Sequence, residues 1–566
     1  MTEWKRRPLS RRRFLQGAAL GAVGLAGVAL TGCDDDRDVG ETGGPTEAVL
    51  SGAEPLILTN GEILTMDALE TVASSVFIEN GRIAALDGPS AVNGARVIDL
   101  GGRTVIPGLI DSHLHFVTPS QAPGHFLSAI ETAFSTSDLL SVLRERVTSV
   151  PAGEFITAVG GLGPQQFAER RWPSLVELDQ AAPDHPIYFQ SGFSGPSVTN
   201  SLGRGYFEER SVPVGADGTI SRQDGGSALG ALLLGQTYED ARRAALKYMA
   251  YSGSLGLTTV VDAGGGVWFG VDVPPDQVQG GHDLFYDMWR QDDLTVRIRL
   301  RFGGGGSAGP DGVFPVIGRM ENALATVGDG DEMLKVIGVG EFTVGGFGQT
   351  DGIPFEEAYG QVAERGWSLS QHSLSVAEHE AHIRAFELVS AQTPIAELRW
   401  AIEHGFELTT DHLSRLEAIG AGVTASNTAY LPITPLLGSA PFRDIVDSGV
   451  HAGASSDSSN IAPLNPWLHI YHMVTGRNAA GELVNDGQQI TRLEALRLYT
   501  TGSAWVSFDD DELGSLEVGK LADLVVLSDD YLSIPPEEIR TLSSVLTTVG
   551  GRVVHANDRF KQLIES

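Results

Sequence analysis

The central part of the chain alternates between two hydrophobic patterns. Short apolar runs, typical of buried strands, recur between segments in which apolar residues return every three or four positions, as on one face of a helix. Eight strands followed by helices predict an α/β fold, the (β/α)8 barrel. The predicted strands are Val105–His113, Thr258–Ala263, Thr295–Phe302, Leu334–Phe342, Trp367–His372, Arg399–His404, Gly422–Ser426 and Val450–Asp457.

One stretch, residues 117–236, does not follow this alternation. It is far longer than an ordinary loop between a strand and a helix, so it predicts a large insertion between barrel strands one and two, over the barrel mouth. Two further strand patterns, Phe155–Val159 and Pro186–Gln190, lie inside it. Either of them is an alternative candidate for a barrel strand.

Both ends of the globular part show short strand patterns separated by turns. Asn80-Gly81 between two apolar runs is a strong hairpin signal, and Gly550-Gly551 marks a second hairpin. We therefore expect a small β-sandwich built from residues 55–104 and 506–566, flanking a barrel over residues 105–505.

The first 33 residues have the pattern of a bacterial export signal. A basic head is followed by an apolar, small-residue run over residues 14–30, too short for a typical membrane span. Arg11 and Arg12 lie in a segment that resembles the twin-arginine signal, and Leu30–Cys33 resembles a lipobox. We expect cleavage and acylation at Cys33, with an uncleaved anchor helix as the alternative. Residues 34–54, acidic and rich in Gly and Thr, predict a flexible tether.

This signal predicts an exported lipoprotein on the periplasmic side of the membrane or at the cell surface. Its expected partners are the twin-arginine export machinery and, through Cys33, membrane lipid. The net charge of −33 disfavours binding to nucleic acid. Because Cys33 is the only cysteine, the chain can form no intrachain disulfide and has no cysteine for a metal or a nucleophile.

Candidate chemistry gathers where the predicted strands end. Barrel active sites lie at the carboxyl ends of the strands. His113 and His115 point to the same side because side chains alternate along a strand, so both can bind one ion. Four other predicted strands end in a histidine or an acidic residue, and imidazole and carboxylate groups are common metal ligands. The candidate metal ligands are His113, His115, Glu341, His372, His404 and Asp457.

Several of these motifs together resemble the amidohydrolase superfamily. They are the Pro-Gly-x-x-Asp-x-His-x-His run of 107–115, His372, Arg399–His404, Asp457 and the tail 514–527. The long insertion and Thr258–Asp262 look like the amidohydrolase-3 branch, which includes N-substituted formamide deformylases. The resemblance implies a metal-dependent hydrolase with one or two divalent ions, most often zinc.

The resemblance also implies roles for single residues. His113 and His115 would hold a first ion, His372 and His404 a second, and Glu341 would bridge them where the family often has a carboxylated lysine. Three residues would not bind the metal themselves but would contact the ligands and orient them: Asp111, Glu403 and Arg399. Asp457 would accept the proton of a metal-activated water and pass it to the leaving amine.

The expected function is hydrolysis of a C–N bond in a small-molecule amide, N-substituted formamide or cyclic amide. Two alternatives stay open. The same barrel can serve a metal-dependent lyase, isomerase or ester or lactone hydrolase, and an inherited barrel can serve a non-catalytic solute-binding lipoprotein. Metal identity and oligomeric state are not determined by the sequence. Six aromatic residues are candidates for an apolar pocket lining, with a plain place in the core as the more frequent alternative: Trp172, Phe193, Trp268, Phe269, Tyr286 and Trp289.

Overall fold

A computed structural model describes residues 54–192, 195–264, 281–304, 306–322, 327–433, 438–458 and 461–565. The predicted export signal, with Arg11, Arg12 and Cys33, and the tether up to residue 53 lie outside these residues. Within the described residues, no helix combines the length and the apolar character that a membrane-crossing segment needs.

The strands of the described residues fall into three groups. They are the short strands at both ends, the buried strands of the barrel, and the strands of the insertion. In chain order they are β1 Leu56–Thr59, β2 Glu62–Leu64, β3 Val72–Ala73, β4 Val76–Glu79, β5 Arg82–Leu86, β6 Arg96–Asp99, β7 Thr104–Pro107, β8 Leu109–Leu114, β9 His125–Phe126, β10 Ile156–Gly160, β11 Ile187–Ser191, β12 Ser197–Val198, β13 Thr219–Ile220, β14 Leu257–Ala263, β15 Arg297–Phe302, β16 Leu334–Val339, β17 Ser368–Ser373, β18 Ala401–His404, β19 Gly422–Ala425, β20 His451–Ala454, β21 Leu524–Leu527, β22 Ser544–Val549 and β23 Arg552–Ala556.

The α-helices occupy the insertion and the outside of the barrel, except for the last one, which packs on the β-sandwich. They are α1 Thr136–Arg146, α2 Leu175–Ala181, α3 Ser201–Glu208, α4 Arg222–Leu233, α5 Tyr238–Leu255, α6 His282–Arg290, α7 Pro315–Asn322, α8 Phe355–Glu364, α9 Val376–Ser390, α10 Thr410–Ala418, α11 Phe442–Ser448, α12 Pro466–Thr475, α13 Arg492–Arg497, α14 Ser503–Val506 and α15 Asp558–Glu565.

The eight predicted barrel strands are confirmed. β8 and β14 to β20 form one parallel eight-stranded sheet in the order β8-β14-β15-β16-β17-β18-β19-β20. Its two edge strands meet just beyond their carboxyl ends. There the His115 amide donates to the Ser458 carbonyl at 2.7 Å, and the Asp457 amide donates to the His113 carbonyl at 3.1 Å. These bonds bring the sheet to a nearly closed barrel, as the alternation of strands and helices predicts.

The first predicted strand is in fact two strands that separate at Gly108. β7 joins a sheet of the sandwich, whereas β8 opens the barrel. A Cβ atom on Gly108 would lie 2.1 Å from the Thr258 hydroxyl oxygen, so only glycine allows the backbone to pass this close to β14. The single apolar run thus serves two sheets.

The β-sandwich is built from both ends of the described chain. One sheet has the order β5-β4-β1-β6, and the other has the order β23-β22-β21-β7-β2-β3. In the second sheet β7 pairs antiparallel with β21, with Ile106 opposite Val525. Both predicted hairpins are present, and Asn80 and Gly81 have the positive φ angles, 51° and 76°, of a tight two-residue turn.

The insertion has a sheet of its own, in the order β13-β12-β11-β10-β9. The two alternative strand candidates, observed as β10 and β11, therefore lie outside the barrel. Buried Glu131 ties the insertion to the barrel, because its carboxylate accepts the backbone N–H groups of Leu464 and Asn465 and the hydroxyl of Tyr251. Burial raises the pKa of Glu131 to about 7.

Charged side chains fill the amino-terminal end of the barrel. Arg297 and Arg299, on alternate positions of β15, are buried and pair with Asp523 and Asp509 at 2.8 and 2.6 Å. The ammonium group of Lys335 lies 3.0 Å from Asp509. Lys335 is thus engaged at the end of the barrel opposite to the mouth, too deep to supply the carboxylated lysine of the family pattern.

Candidate metal centre

The six candidate ligands lie at the carboxyl ends of five barrel strands, and the structure brings them together. His113 lies in β8 and His115 directly follows that strand. His372 lies in β17 and His404 ends β18. Glu341 follows β16 by two residues, and Asp457 follows β20 by three. All six are buried, at 6% exposure or less.

A first group comprises the two histidines of β8 and the carboxylate beyond β20. The Nε2 atoms of His113 and His115 lie 3.5 and 3.6 Å from the same oxygen of Asp457, Oδ1. The three side chains offer ligand atoms within 4.8 Å of one another. Their convergence follows from barrel closure, because β8 and β20 are its neighbouring edges.

A second group lies on the other side of Glu341. His372 Nδ1 lies 2.8 Å from Glu341 Oε2, and His404 Nε2 lies 3.4 Å from the same oxygen. The two imidazole nitrogens are themselves 2.8 Å apart. Their rings meet edge to face, with centroids 4.6 Å apart.

Glu341 stands between these groups and faces both. Its Oε1 lies 3.5 Å from His115 Nε2, and its Oε2 lies 4.0 Å from His113 Nε2. Burial acts to raise the pKa of Glu341, but His372, His404 and His115 together hold it well below its usual value. Glu341 is therefore an anion within a ring of imidazoles.

Glu403 supports the cluster from outside. Its Oε1 lies 2.9 Å from His113 Nδ1, and it accepts a hydrogen bond from the Ser370 hydroxyl. Burial lowers the pKa of His113, yet Glu403 and Asp457 outweigh it and raise that pKa well above the ordinary value. A carboxylate on Nδ1 leaves Nε2 of the same ring directed at Asp457, an arrangement that fixes the tautomer of a metal-binding histidine.

Asp111 contacts the backbone of the site. Its carboxylate accepts the N–H groups of His113 and Ser456, at 3.3 and 3.2 Å. It thereby ties the end of β8 to the segment that leads to Asp457. Burial raises the pKa of Asp111 to about 7.

The placement of Arg399 corrects the sequence interpretation. It was expected beside the ligands, but it precedes β18 at the amino-terminal end of that strand, whereas His404 ends the strand. Its guanidinium donates to Asp510 at 2.6 Å and to the Trp505 carbonyl at 2.8 Å. A strand of this length separates it from the cluster, so it does not join the centre.

Two residues of the cluster have backbone angles that L-residues rarely adopt. His404 has φ of 67° and Asp457 has φ of 56°, both in the left-handed region. Such a conformation costs about 1–3 kcal/mol and persists where the surroundings impose it, often at functional sites. Here it turns both side chains inward at the point where each chain segment leaves the barrel.

Aromatic side chains flank the cluster on the side of β16 and β17. Phe342 stacks on the His372 ring, with centroids 4.9 Å apart, and Phe347 meets the same ring edge-on at 4.8 Å. Phe347 is 60% exposed. The sequence interpretation missed both residues, although Phe342 directly follows Glu341. It named six other aromatic residues as candidates for a pocket lining, with the core as the more frequent alternative.

Of these six aromatic candidates, the three that the structure describes pack in apolar cores. Trp172 packs against the apolar core of the insertion. Tyr286 and Trp289, both in α6, pack against the barrel core. The remaining three lie outside the described residues: Phe193, Trp268 and Phe269.

The donor set fits a divalent cation. Two imidazole nitrogens and a carboxylate oxygen, those of His372, His404 and Glu341, converge at 2.8–3.4 Å, and His113, His115 and Asp457 form a comparable set. Imidazole and carboxylate ligands suit zinc, manganese, iron and nickel. A positive centre is the simplest partner for lone pairs that point at one spot inside a buried site.

Comparison with known proteins identifies the family. The sequence model of the amidohydrolase family, in its amidohydrolase-3 form, matches residues 96–555. The chain belongs to the amidohydrolase family. The matched range contains every candidate ligand and spans from the last strand of the first sandwich sheet to the final hairpin.

Similar proteins cover nearly the whole length of this chain at low identity. An N-substituted formamide deformylase of Arthrobacter pascens is 24% identical, over 88% of this chain and 97% of its own. A putative amidohydrolase of Bacillus subtilis, YtcJ, is 22% identical, over 81% and 90%. The protein LONG AFTER FAR-RED 3 of Arabidopsis thaliana is 24% identical, over 88% and 91%.

Solved structures share the fold. An uncharacterised metal-dependent hydrolase from Pyrococcus furiosus has a TM-score of 0.56 and 20% identity, covering 85% of this chain and all of its own. A triazine hydrolase variant has a TM-score of 0.51 and 15% identity, covering 90% and 98%. They support the barrel with its accompanying sheets.

The site analysis predicts that Glu341→Gln lowers metal content. An amide oxygen binds a divalent ion more weakly than a carboxylate, and the change removes the charge that faces both histidine pairs. Elemental analysis of the purified protein checks this. Glu131→Gln, which alters a buried carboxylate outside the cluster, is the control and should keep the metal content of the wild type. Equal metal content in wild type and Glu341→Gln would contradict the prediction.

Proposed function

We propose that the protein is a two-ion amidohydrolase, most readily loaded with zinc, that hydrolyses the C–N bond of an amide, an N-substituted formamide or a cyclic amide. The observation that carries the proposal is the position of Glu341. Its Oε1 faces His115 of the first pair, whereas its Oε2 faces His372 and His404 of the second pair and lies 4.0 Å from His113. A carboxylate in that position can bridge two cations.

The proposed ligands divide between the two ions. His113, His115 and Asp457 would hold one ion, and His372 and His404 the other, with Glu341 between them. His372 turns Nδ1 towards Glu341, whereas His404 turns Nε2. When bound, the ions act as Lewis acids towards a carbonyl oxygen and acidify water.

Asp457 is the proposed proton carrier. Its Oδ1 faces the Nε2 atoms of His113 and His115, and its Oδ2 lies 3.3 Å from His404 Nδ1. Both oxygens of Asp457 therefore lie beside imidazole nitrogens of the candidate ligands, which places its carboxylate within the cluster. Asp457 would take the proton of the reacting water and deliver it to the nitrogen of the departing amine.

Two features support an uncharged organic amide as substrate. The deformylase relative is named for N-substituted formamides. In addition, Phe342 and exposed Phe347 make the side of the site next to His372 apolar. An apolar substituent next to the scissile bond would contact Phe347 and remove both surfaces from water.

Asp457→Asn should keep the metal and lose turnover. Asp457 would contact one ion only, and His113, His115 and Glu341 would still hold that ion, so a weaker amide oxygen costs less metal here than at Glu341, which would serve both ions. The amide cannot accept the proton of water, and loss of a general base typically costs about 10²–10⁴-fold in rate. The measurement pairs metal analysis with kcat on formamides, N-acyl amino acids and hydantoins, with protein lacking residues 1–33. Hydrolysis by the variant at the wild-type rate would exclude this role. If the wild type acted only on lactones, the ester hydrolase alternative would replace the amide assignment.

Phe347→Ala should discriminate against bulky substrates. We expect kcat/KM to fall about tenfold for an amide with a phenyl or butyl substituent, because an apolar contact is lost, and to stay unchanged for its methyl analogue. Val518→Ala, which trims a side chain that is 65% exposed in the carboxyl-terminal part of the chain, is the matched control. An equal loss for both substrates would contradict the proposed contact.

We also propose that the chain is exported by the twin-arginine route and held to a membrane by lipid on Cys33. Support comes from the sequence of residues 10–33 alone. Cys33→Ala should abolish labelling by radioactive palmitate and move the protein from the membrane fraction to the soluble fraction, whereas Arg11→Lys with Arg12→Lys should block export. Labelling that persists in Cys33→Ala would contradict the anchor.

A further inference from the structure

His379, in the first turns of α9, connects the ends of two barrel strands. Its side chain is completely buried. Its Nδ1 lies 2.7 Å from the hydroxyl oxygen of Ser373, and its Nε2 is hydrogen-bonded to the backbone carbonyl of Phe406. Ser373 is the neighbour of His372 at the end of β17, and Phe406 follows His404 by two residues beyond β18.

These contacts determine the tautomer of His379. A carbonyl oxygen can only accept, so Nε2 carries the hydrogen and donates to Phe406. Because burial lowers the pKa of His379 to about 4, the ring is neutral, so Nδ1 is the acceptor and the Ser373 hydroxyl donates to it. Both polar atoms of the ring are therefore used, one towards each strand end. The ring therefore holds the segment that leaves β17 at a fixed distance from the segment that leaves β18.

The segment beyond β18 needs such a support. His404 and Gly405 have successive left-handed φ angles, 67° and 68°, so the chain turns sharply at the candidate ligand itself. The ring of Phe406 lies against the ring of His404, with centroids 5.9 Å apart. By fixing the Phe406 carbonyl, His379 fixes the turn and the aromatic ring that backs His404.

The spacing of His372 and His404 matters on the scale of tenths of an ångström. Their facing nitrogens are 2.8 Å apart. Two imidazole nitrogens on one tetrahedral zinc ion, each about 2.0–2.1 Å from it, lie about 3.3 Å apart. The site is thus close to the required separation, and a group that controls the distance between the two strand ends controls how well the ion fits.

We propose that His379 is a positioning residue that sets the spacing of His372 and His404 and thereby the affinity for the ion that these two share. The inference rests on the proposed two-ion centre. It distinguishes the two ions, because the side-chain hydrogen bonds of His379 lead to the ends of β17 and β18 and not to the end of β8, where His113 and His115 lie.

Metal titration of the apoprotein tests the inference without recourse to activity. Zn²⁺ is added in competition with a chromophoric chelator, and Co²⁺ absorption reports the geometry of each site. In His379→Leu we expect one ion to bind as in the wild type and the other about 10–100-fold more weakly, the usual effect of losing a group that supports a metal ligand. Wild-type affinity for both ions would overturn the proposal.

His382→Leu is the matched control. His382 lies on the same helix, is equally buried, and is hydrogen-bonded through Nδ1 to the hydroxyl of Tyr359 at 2.8 Å. Removal of the His382 imidazole also costs a buried hydrogen bond, but its partner lies in α8 and not at the end of a barrel strand. Both ions should therefore bind as in the wild type. The same selective loss in this variant would overturn the proposal.

Two further variants separate positioning from packing. His379→Gln keeps an N–H donor for the Phe406 carbonyl and should recover part of the affinity, and no recovery would overturn the proposal.

If His379→Leu does not fold, Ser373→Ala provides a second test, because it removes only one of the two hydrogen bonds. It should still lower the affinity for one ion, and unchanged binding overturns the proposal. A wild type that binds one ion contradicts the two-ion centre itself, whereas two tightly bound ions in every variant contradict this inference alone.

Discussion

Two backbone hydrogen bonds close the barrel, and three of the four residues that make them are candidate metal ligands. The His115 amide donates to Ser458, and the Asp457 amide donates to His113. Closure and assembly of the first ligand group are therefore one event, since the edges cannot meet without bringing His113, His115 and Asp457 together. Asp111 reinforces this seam by accepting amides from both edges. The remaining ligands take their places because parallel neighbouring strands end at the same rim.

Much of this arrangement could be predicted from the sequence, because strand patterns are local and parallel strands order their own ends. The eight strands and the grouping of His113, His115, His372 and His404 follow from that rule. What failed depended on backbone geometry beyond the strand. Arg399 belongs to the same motif as His404 but precedes the strand, so it points to Asp510 at the opposite end of the barrel. Phe347 was missed because a loop, not a strand, carries it to the rim.

Ionisable side chains occupy both ends of the barrel interior, but the two ends carry different kinds of group. Carboxylates and imidazoles occupy the mouth, whereas Arg297 and Arg299 on β15 face Asp523 and Asp509 at the base. Buried ion pairs contribute little net stability, because the desolvation of each charge offsets the attraction. Each pair, however, makes other alignments of its elements costly, since a displaced strand would leave an unpaired charge in the interior. The ion pairs at the base thus favour one alignment of the strands, and this alignment determines where the candidate ligands lie at the mouth.

The sheet that joins β7 to β21 has a consequence for how the molecule is made. Ile106, just before the first barrel strand, finds its partner Val525 only after the ribosome has produced the whole barrel. Until then β7 presents an open edge, and open edges invite pairing with other chains. Completion of this sheet therefore waits until synthesis has passed the barrel, and a nascent chain stalled within the barrel is a candidate for chaperone binding or degradation.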